Sequence, residues 1–428
     1  MGDGLIFTDL ATPLDAAECR DVAVIGGDVG AVFVAAVLAR RGHRVVWYRG
    51  DRTNPHPGSG VLRTFAAEPL ALPGYPMEIP ALLLGNAVRG GLHAAFAPEF
   101  AAWLLRAAAA SRPPAVETIA AERAALLAQA REAFAALVAI APVEIGEAAV
   151  TTLYRGPRAY AAGWAAHDVR RRHGGGFADV TFAEIAERFP YLSPRYTRGM
   201  RATAARVKNP EALLEALKAE LETAATVARH WPERVRPQAD GVEIVDGGAV
   251  KRFDWAVRCE DGGPEAVWPR GRGCFSACLP WRERSLVRDA APEGEETSTA
   301  CEILVDGASG AWLERCPGRI VAAGAQRLGG APGDDLRYLV AASYVRLWRD
   351  LAGPGWRDEG GRLTVAQGWM APDSRPLLGS AGGRILVSAG FGDLGWTLGP
   401  LSGFALAAVV EGNAAAEAFA PFSPRRFD

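Results

Sequence analysis

Lysine is nearly absent from this chain: of its 47 basic residues only Lys208, Lys218 and Lys251 are lysines, and the rest are arginines. The skew reflects composition rather than recognition, because 49 acidic residues bring the net charge to −2. Such a balance gives no general attraction for nucleic acid or for an anionic membrane. Cysteine is scarce too. Cys19, Cys259, Cys274, Cys278, Cys301 and Cys316 contain no Cys-x-x-Cys pair, and Cys274/Cys278 lacks a nearby Cys or His to complete a zinc site. Reduced structural thiols and no metal are the expectation. The six histidines are scattered, with no metal-like partner at helical spacing, and take no role. No segment has the ~20 uninterrupted apolar residues of a membrane span, and residues 1–19 lack the basic and apolar regions of a signal peptide. A cytoplasmic protein without an integral membrane segment is expected. No repeat or low-complexity tract is present.

What is there is globular: 428 residues, 49% apolar and 22% charged, enough for one large or two interleaved cores. The most informative stretch is 20–49, RDVAVIGGDVGAVFVAAVLARRGHRVVWYR. An apolar strand at 22–25 runs into a glycine turn, an Ala/Val-rich helix to Arg41, and a second strand at 45–48. That is the build of a dinucleotide-binding βαβ unit. In the Gly-x-Gly-x-x-Gly pattern the second glycine admits the pyrophosphate and the third lets helix and strand pack. Counted from Gly26, those places hold Asp28 and Ala31, beside Gly27 and Gly30. Ala31 is a mild change. A carboxylate at Asp28 standing ~4 Å from a phosphate charge costs on the order of 4 kcal/mol at an effective dielectric near 20. The acid that should end the second strand and accept the ribose hydroxyls falls on Arg49, which removes a charge-assisted bond of about 1.5–3 kcal/mol.

Further along, 53–74 reads as a Pro/Gly-rich loop, and 79–110 and 116–140 read as helices. Asn209, Pro210 and Glu211 are an N-cap, a first-turn proline and a first-turn acid, opening a helix to about residue 226. Strand-like runs follow at 241–245, 253–259, 273–279, 300–305 and 319–323, then a helix at 336–351. The fold class is α/β with an α+β second domain. A discontinuous Rossmann-like domain is expected over 20–78, 200–262 and 355–428, interrupted by a strand-rich substrate-type domain over 79–199 and 263–354, after an N-terminal extension at 1–19.

The C-terminal block 366–412 carries a Pro-Asp-x-x-Pro-Leu-Leu-Gly turn at 372–379 and a Gly-Phe-Gly-x-x-Gly-Trp-Thr loop at 390–397. With the N-terminal turn it resembles the FAD-dependent D-amino-acid dehydrogenase, D-amino-acid oxidase and glycine oxidase family. The resemblance implies FAD as cofactor, with Gly26, Gly27, Gly30, Gly392, Leu394, Gly395, Trp396 and Thr397 lying against it. It also exposes departures. The family's substrate arginine falls on Gly368 and the dehydrogenase histidine on Phe391, in addition to Asp28, Ala31 and Arg49. A strand that ends in small residues in the family here runs into Arg258, Cys259, Glu260 and Asp261.

Two expectations follow. One is a chain of this family that does not bind FAD in the family manner and serves as a scaffold or partner subunit beside a related flavoenzyme. The other is an active FAD-dependent enzyme oxidising the C–N bond of a small amine or amino acid, with Tyr154, Arg155, Arg158 and Tyr160 as polar candidates in the substrate domain. A minor third is that Arg49 holds the 2′-phosphate of NADPH, which Asp28 opposes as it opposes FAD.

Overall fold

The computed structural model describes residues 14–15, 18–50, 60–73, 93–94, 98–138, 143–259, 267–268, 278–288, 301–316, 319–328, 346–353, 362–413 and 416–428. Residues 53–59 and 74 of the expected 53–74 loop, most of the first part of the 79–110 helix, the start of the 273–279 strand and most of the 336–351 helix lie outside them; the described part of the loop holds the short strand Val61–Leu62, and His93–Ala94, inside the expected first helix, is a strand. Two large sheets organise the rest.

The first has six strands in the order Leu377–Gly382, Ile385–Ala389, Trp255–Cys259, Asp21–Ile25, Arg44–Tyr48, Thr226–Ala228. All neighbours are parallel except the first pair, which is antiparallel. Val22, Ala23, Val24 and Ile25 are fully buried, as expected for a strand covered on both faces. Ile25 is in register with both Tyr48 and Arg258, so three chains leave the sheet at one level and form a crevice outside its carboxyl edge. The expected strand at 253–259 is interrupted. Asp254 turns its carboxylate to the amide of Asp21 at 2.8 Å, which separates Ala249–Phe253, part of a small antiparallel sheet, from Trp255–Cys259.

On one face of this sheet the helix Val29–Arg40 packs against the C-terminal helix Gly395–Val410, flanked by Pro210–Ala224 and Pro113–Val138. Asn209 caps the third of these by accepting from the Ala212 amide at 3.0 Å, where the sequence places its start. By length and composition Gly392–Val410 is long enough to cross a membrane, although Asp393, Thr397 and Ser402 interrupt its apolar run; 89% of that stretch is buried, as in a core helix.

The second sheet runs Arg362–Met370, Leu279–Arg288, Arg319–Leu328, Trp312–Cys316, Cys301–Asp306, Ile145–Tyr154, Arg198–Val207, Val61–Leu62, with two short strands, His93–Ala94 and Ala178–Val180, off this path. One face buries Ala148, Val150, Ala204, Ile303, Trp312 and Val321. The other buries Leu153, Leu304, Leu313 and Ile320 against Phe189, Tyr196 and Trp348. Phe65 packs on the first of these faces and on the core of the parallel sheet as well, so it joins the two. Cys19, Cys259 and Cys278 are free, but Cys301 is disulfide-bonded, which corrects the expectation of reduced thiols throughout.

Candidate functional site

At the turn after the first strand, the Gly26 amide donates to the Tyr48 carbonyl at 2.9 Å, and its own carbonyl accepts the Trp47 indole N–H at 2.8 Å. A Cβ on Gly26 would stand 2.5 Å from the Cβ of Cys259. Packing against the neighbouring strand alone therefore requires glycine here. Gly27 is buried. Asp28 is the N-cap of Val29–Arg40: in extended backbone conformation, its carboxylate accepts from the amides of Gly30 at 2.8 Å and Ala31 at 3.3 Å. Such a cap contributes about 1 kcal/mol, and an anion there is favoured by the helix dipole. The sequence poses Asp28 as a charge facing a phosphate; the structure places it on the amides that a phosphate would use. Ala31 is fully buried and Gly30 is covered by the Phe391 ring, which would lie 3.3 Å from an added Cβ.

The C-terminal loop reaches the same place from the other side. Gly390 and Gly392 have positive φ, +73° and +55°, around Phe391, which is only 5% exposed and shares a core with Phe33, Leu394 and Trp396. A short 3-10 turn, Gly392–Leu394, leads into the helix Gly395–Val410. Trp396 meets Phe33 edge to face at 5.5 Å, and Thr397 Oγ1 accepts the Arg63 amide at 2.9 Å. One turn and two turns further on, Gly399 and Gly403 sit where a Cβ would be 2.6 Å from the Phe33 ring and 2.9 Å from Val37. The start of this helix has no side-chain cap and no acid in its first turn, unlike the helix that Asp28 caps.

Arg49 follows the second strand. Its amide bonds to the Ala228 carbonyl at 3.0 Å and its guanidinium lies 5.8 Å from the Trp47 ring. The next residue, Gly50 (φ +67°), is covered by Trp231, whose ring would be 2.4–2.7 Å from an added Cβ. At the end of the third strand Arg258 is 2% exposed and stacks 4.8 Å over Trp268. Gly368 is buried in the second sheet opposite Trp281.

Of the four substrate-domain candidates the structure brings Tyr154 and Tyr160 together, edge to face at 5.6 Å, and the hydrogen bonds of the set go to different residues. The Tyr154 hydroxyl lies 2.6 Å from His167 Nε2, Arg155 is held by Asp306 and Tyr196, Tyr160 donates to Asp179, and Arg158 is exposed. Burial, helped by the nearby Arg170 charge, pushes His167 down to about 3 from its ordinary 6.5. The folded chain keeps this imidazole neutral while the unfolded chain protonates it below pH 6.5. Stability should therefore be flat in this group above about pH 6.5 and fall as pH drops towards 3, by at most about 1.4 kcal/mol per pH unit. Urea midpoints of His167→Gln should show a shallower decline between pH 6.5 and 4 than wild type. Parallel curves would refute the assignment.

Sequence reasoning missed the clamp on the Pro-Asp turn. The carboxylate of Asp373 takes both forks of Arg426, at 2.8 and 2.9 Å. The same arginine donates to the carbonyls of Arg375, Pro376, Phe422 and Ser423. Arg123, inside the helix Pro113–Val138, donates to the carbonyls of Ala66, Ala67 and Ser374. Among the described residues no group of three His, Cys, Asp or Glu is placed to hold a metal ion.

No protein-family model matches the chain, and no curated protein does. Solved structures match along almost its whole length. Glycine oxidase from Geobacillus kaustophilus superposes with a TM-score of 0.62 at 18% identity, covering 96% of this chain and 99% of that one. L-proline dehydrogenase from P. horikoshii gives 0.60 at 14% identity, covering 97% and 98%. L-alpha-glycerophosphate oxidase from Mycoplasma pneumoniae, a structure with FAD bound, gives 0.63 at 11%, covering 93% and 95%. Resemblance at such identities is one of fold, and the fold of this protein is that of the FAD-dependent amino-acid oxidoreductases of glycine oxidase type.

Proposed function

We propose that this protein is a D-amino-acid-dehydrogenase-like chain that does not hold FAD in the manner of its fold and acts as a scaffold or partner subunit of an oxidoreductase system. The observation that supports this is the Asp28 carboxylate on the amides of Gly30 and Ala31. A pyrophosphate at that helix end must either displace the carboxylate, losing about 1 kcal/mol of cap, or sit beside it against on the order of 4 kcal/mol of repulsion at ~4 Å. The residues present do not fit the group. Gly26, retained in the turn, has a packing role of its own against Cys259, as Gly399 has against Phe33 and Gly403 against Val37 further along the C-terminal helix.

The test is the visible absorption spectrum of the freshly purified full chain, before and after incubation with FAD, together with turnover of a panel of small amines and amino acids. A colourless, inactive protein is expected. Stoichiometric FAD with turnover by the chain alone would overturn the proposal.

One feature favours a second reading, an active FAD-dependent oxidoreductase of a small amine or amino acid. The helix Gly395–Val410 has no side-chain cap and no acid in its first turn, and the acid just before it, Asp393, is paired with Arg63. On that reading the substrate lacks a free α-carboxylate, because Gly368 stands in place of the substrate arginine and a glycine offers no bidentate ion pair. Yellow protein that oxidises simple amines but not D-alanine would support it over the first.

A further inference from the structure

The closure reaches beyond Asp28, and the inference drawn from it rests on the reading above. Three chains leave the parallel sheet at its carboxyl edge, and each exit is covered by a side chain of the protein itself. After the first strand, the Asp28 carboxylate occupies the amides of Gly30 and Ala31, and the Phe391 ring lies over Gly30. After the second strand, where a ribose would be met, Trp231 covers Gly50. After the third, Cys259 packs under Gly26 while Arg258 is buried against Trp268.

We propose that the crevice is filled from within, with Asp28 standing in for the phosphate and Trp231 for the nucleoside at the second strand, so that the protein takes no adenine nucleotide there. The inference concerns any ligand built on an ADP moiety, not FAD alone. It explains why the turn keeps Gly26 and Gly30 after losing the residue that admits a pyrophosphate: Gly26 accommodates Cys259, and Gly30 accommodates the Phe391 ring and the Asp28 carboxylate instead.

The experiment is calorimetric titration of the full chain with ADP and, separately, with sodium pyrophosphate. Wild type should bind neither. Asp28→Asn should also bind neither, because asparagine caps as aspartate does and still occupies the amides. Asp28→Gly combined with Trp231→Ala should gain affinity for ADP by at least about tenfold, an increment of about 1.4 kcal/mol. Asp28→Gly alone, which leaves the amides unoccupied at little cost to the helix start, provides a second variant that should gain pyrophosphate affinity if the double variant does not fold. Micromolar ADP binding by wild type would overturn the inference, as would a folded double variant with no gain. Failure here is separable from failure of the functional proposal. Amine turnover without ADP binding would sink the partner-subunit reading and leave the filled crevice standing, whereas ADP uptake by wild type sinks the filled crevice whatever the turnover.

Discussion

Replacing Arg426 by leucine is expected to lower the unfolding free energy by about 3–5 kcal/mol, the usual cost of stranding a buried charge. Its partner Asp373 is 7% exposed and receives both forks of the guanidinium, a geometry that gives direction as well as attraction. The substitution leaves that carboxylate buried with only the Arg375 side chain, at 3.6 Å, and the Arg375 amide nearby. It also takes a side-chain donor from four carbonyl oxygens, those of Arg375, Pro376, Phe422 and Ser423, the last of which keeps the backbone amide of residue 426, at the point where the C-terminal segment returns to the Pro-Asp turn. Arg426→Lys restores the charge without the fork and should recover only part of the loss. Urea denaturation followed by circular dichroism measures both, and a loss below about 1 kcal/mol for the leucine variant would show that the clamp is dispensable.

Gly403→Val should cost about 3 kcal/mol, at the upper end of core overpacking. A Cβ at this position meets the Val37 side chain at 2.9 Å and the Phe33 carbonyl oxygen at 3.1 Å. The first contact can yield by a rotamer change; the second belongs to the backbone of the helix Val29–Arg40, buried from Gly30 to Leu38, and yields only if the helices part. Parting them would disturb the Trp396–Phe33 contact and the floor beneath Phe391. Val37→Ala in the same chain should return part of the loss, because it removes the first contact and leaves the second. Full additivity of the two substitutions would mean that the helices do not meet as described.

The βαβ unit and the C-terminal block were legible because their signals are local. Asp21–Ile25 is a short apolar run closed by glycines, and the Asn209 cap lies next to the helix it starts. Ile145–Tyr154 and Arg198–Val207, the longest paired strands of the second sheet, escaped because they are rich in alanine and threonine and make their case only when paired side by side. The helix Pro157–Arg172 escaped for the opposite reason: its surface is charged and only His167 and Val169 are buried, so no apolar stripe announces it. In the candidate site, the departures at Asp28, Arg49, Gly368 and Phe391 could be counted from spacing, but their consequences could not. A carboxylate in a glycine turn has the same letter whether it repels a phosphate or takes its place, and only the hydrogen bonds to Gly30 and Ala31 distinguish the two. Trp231 on Gly50 and Arg426 on Asp373 join residues 181 and 53 positions apart, beyond what any local pattern carries.

The cap on the first helix also bears on how this protein depends on its surroundings. A helix end held by a diffusible phosphate gains stability only in proportion to the logarithm of ligand concentration, and loses it on dialysis or when the nutrient that supplies the ligand runs short. Asp28 is tethered two residues from the amides it serves. Its effective concentration there is set by the chain and is unchanged by dilution, starvation or competition from other nucleotide-binding proteins.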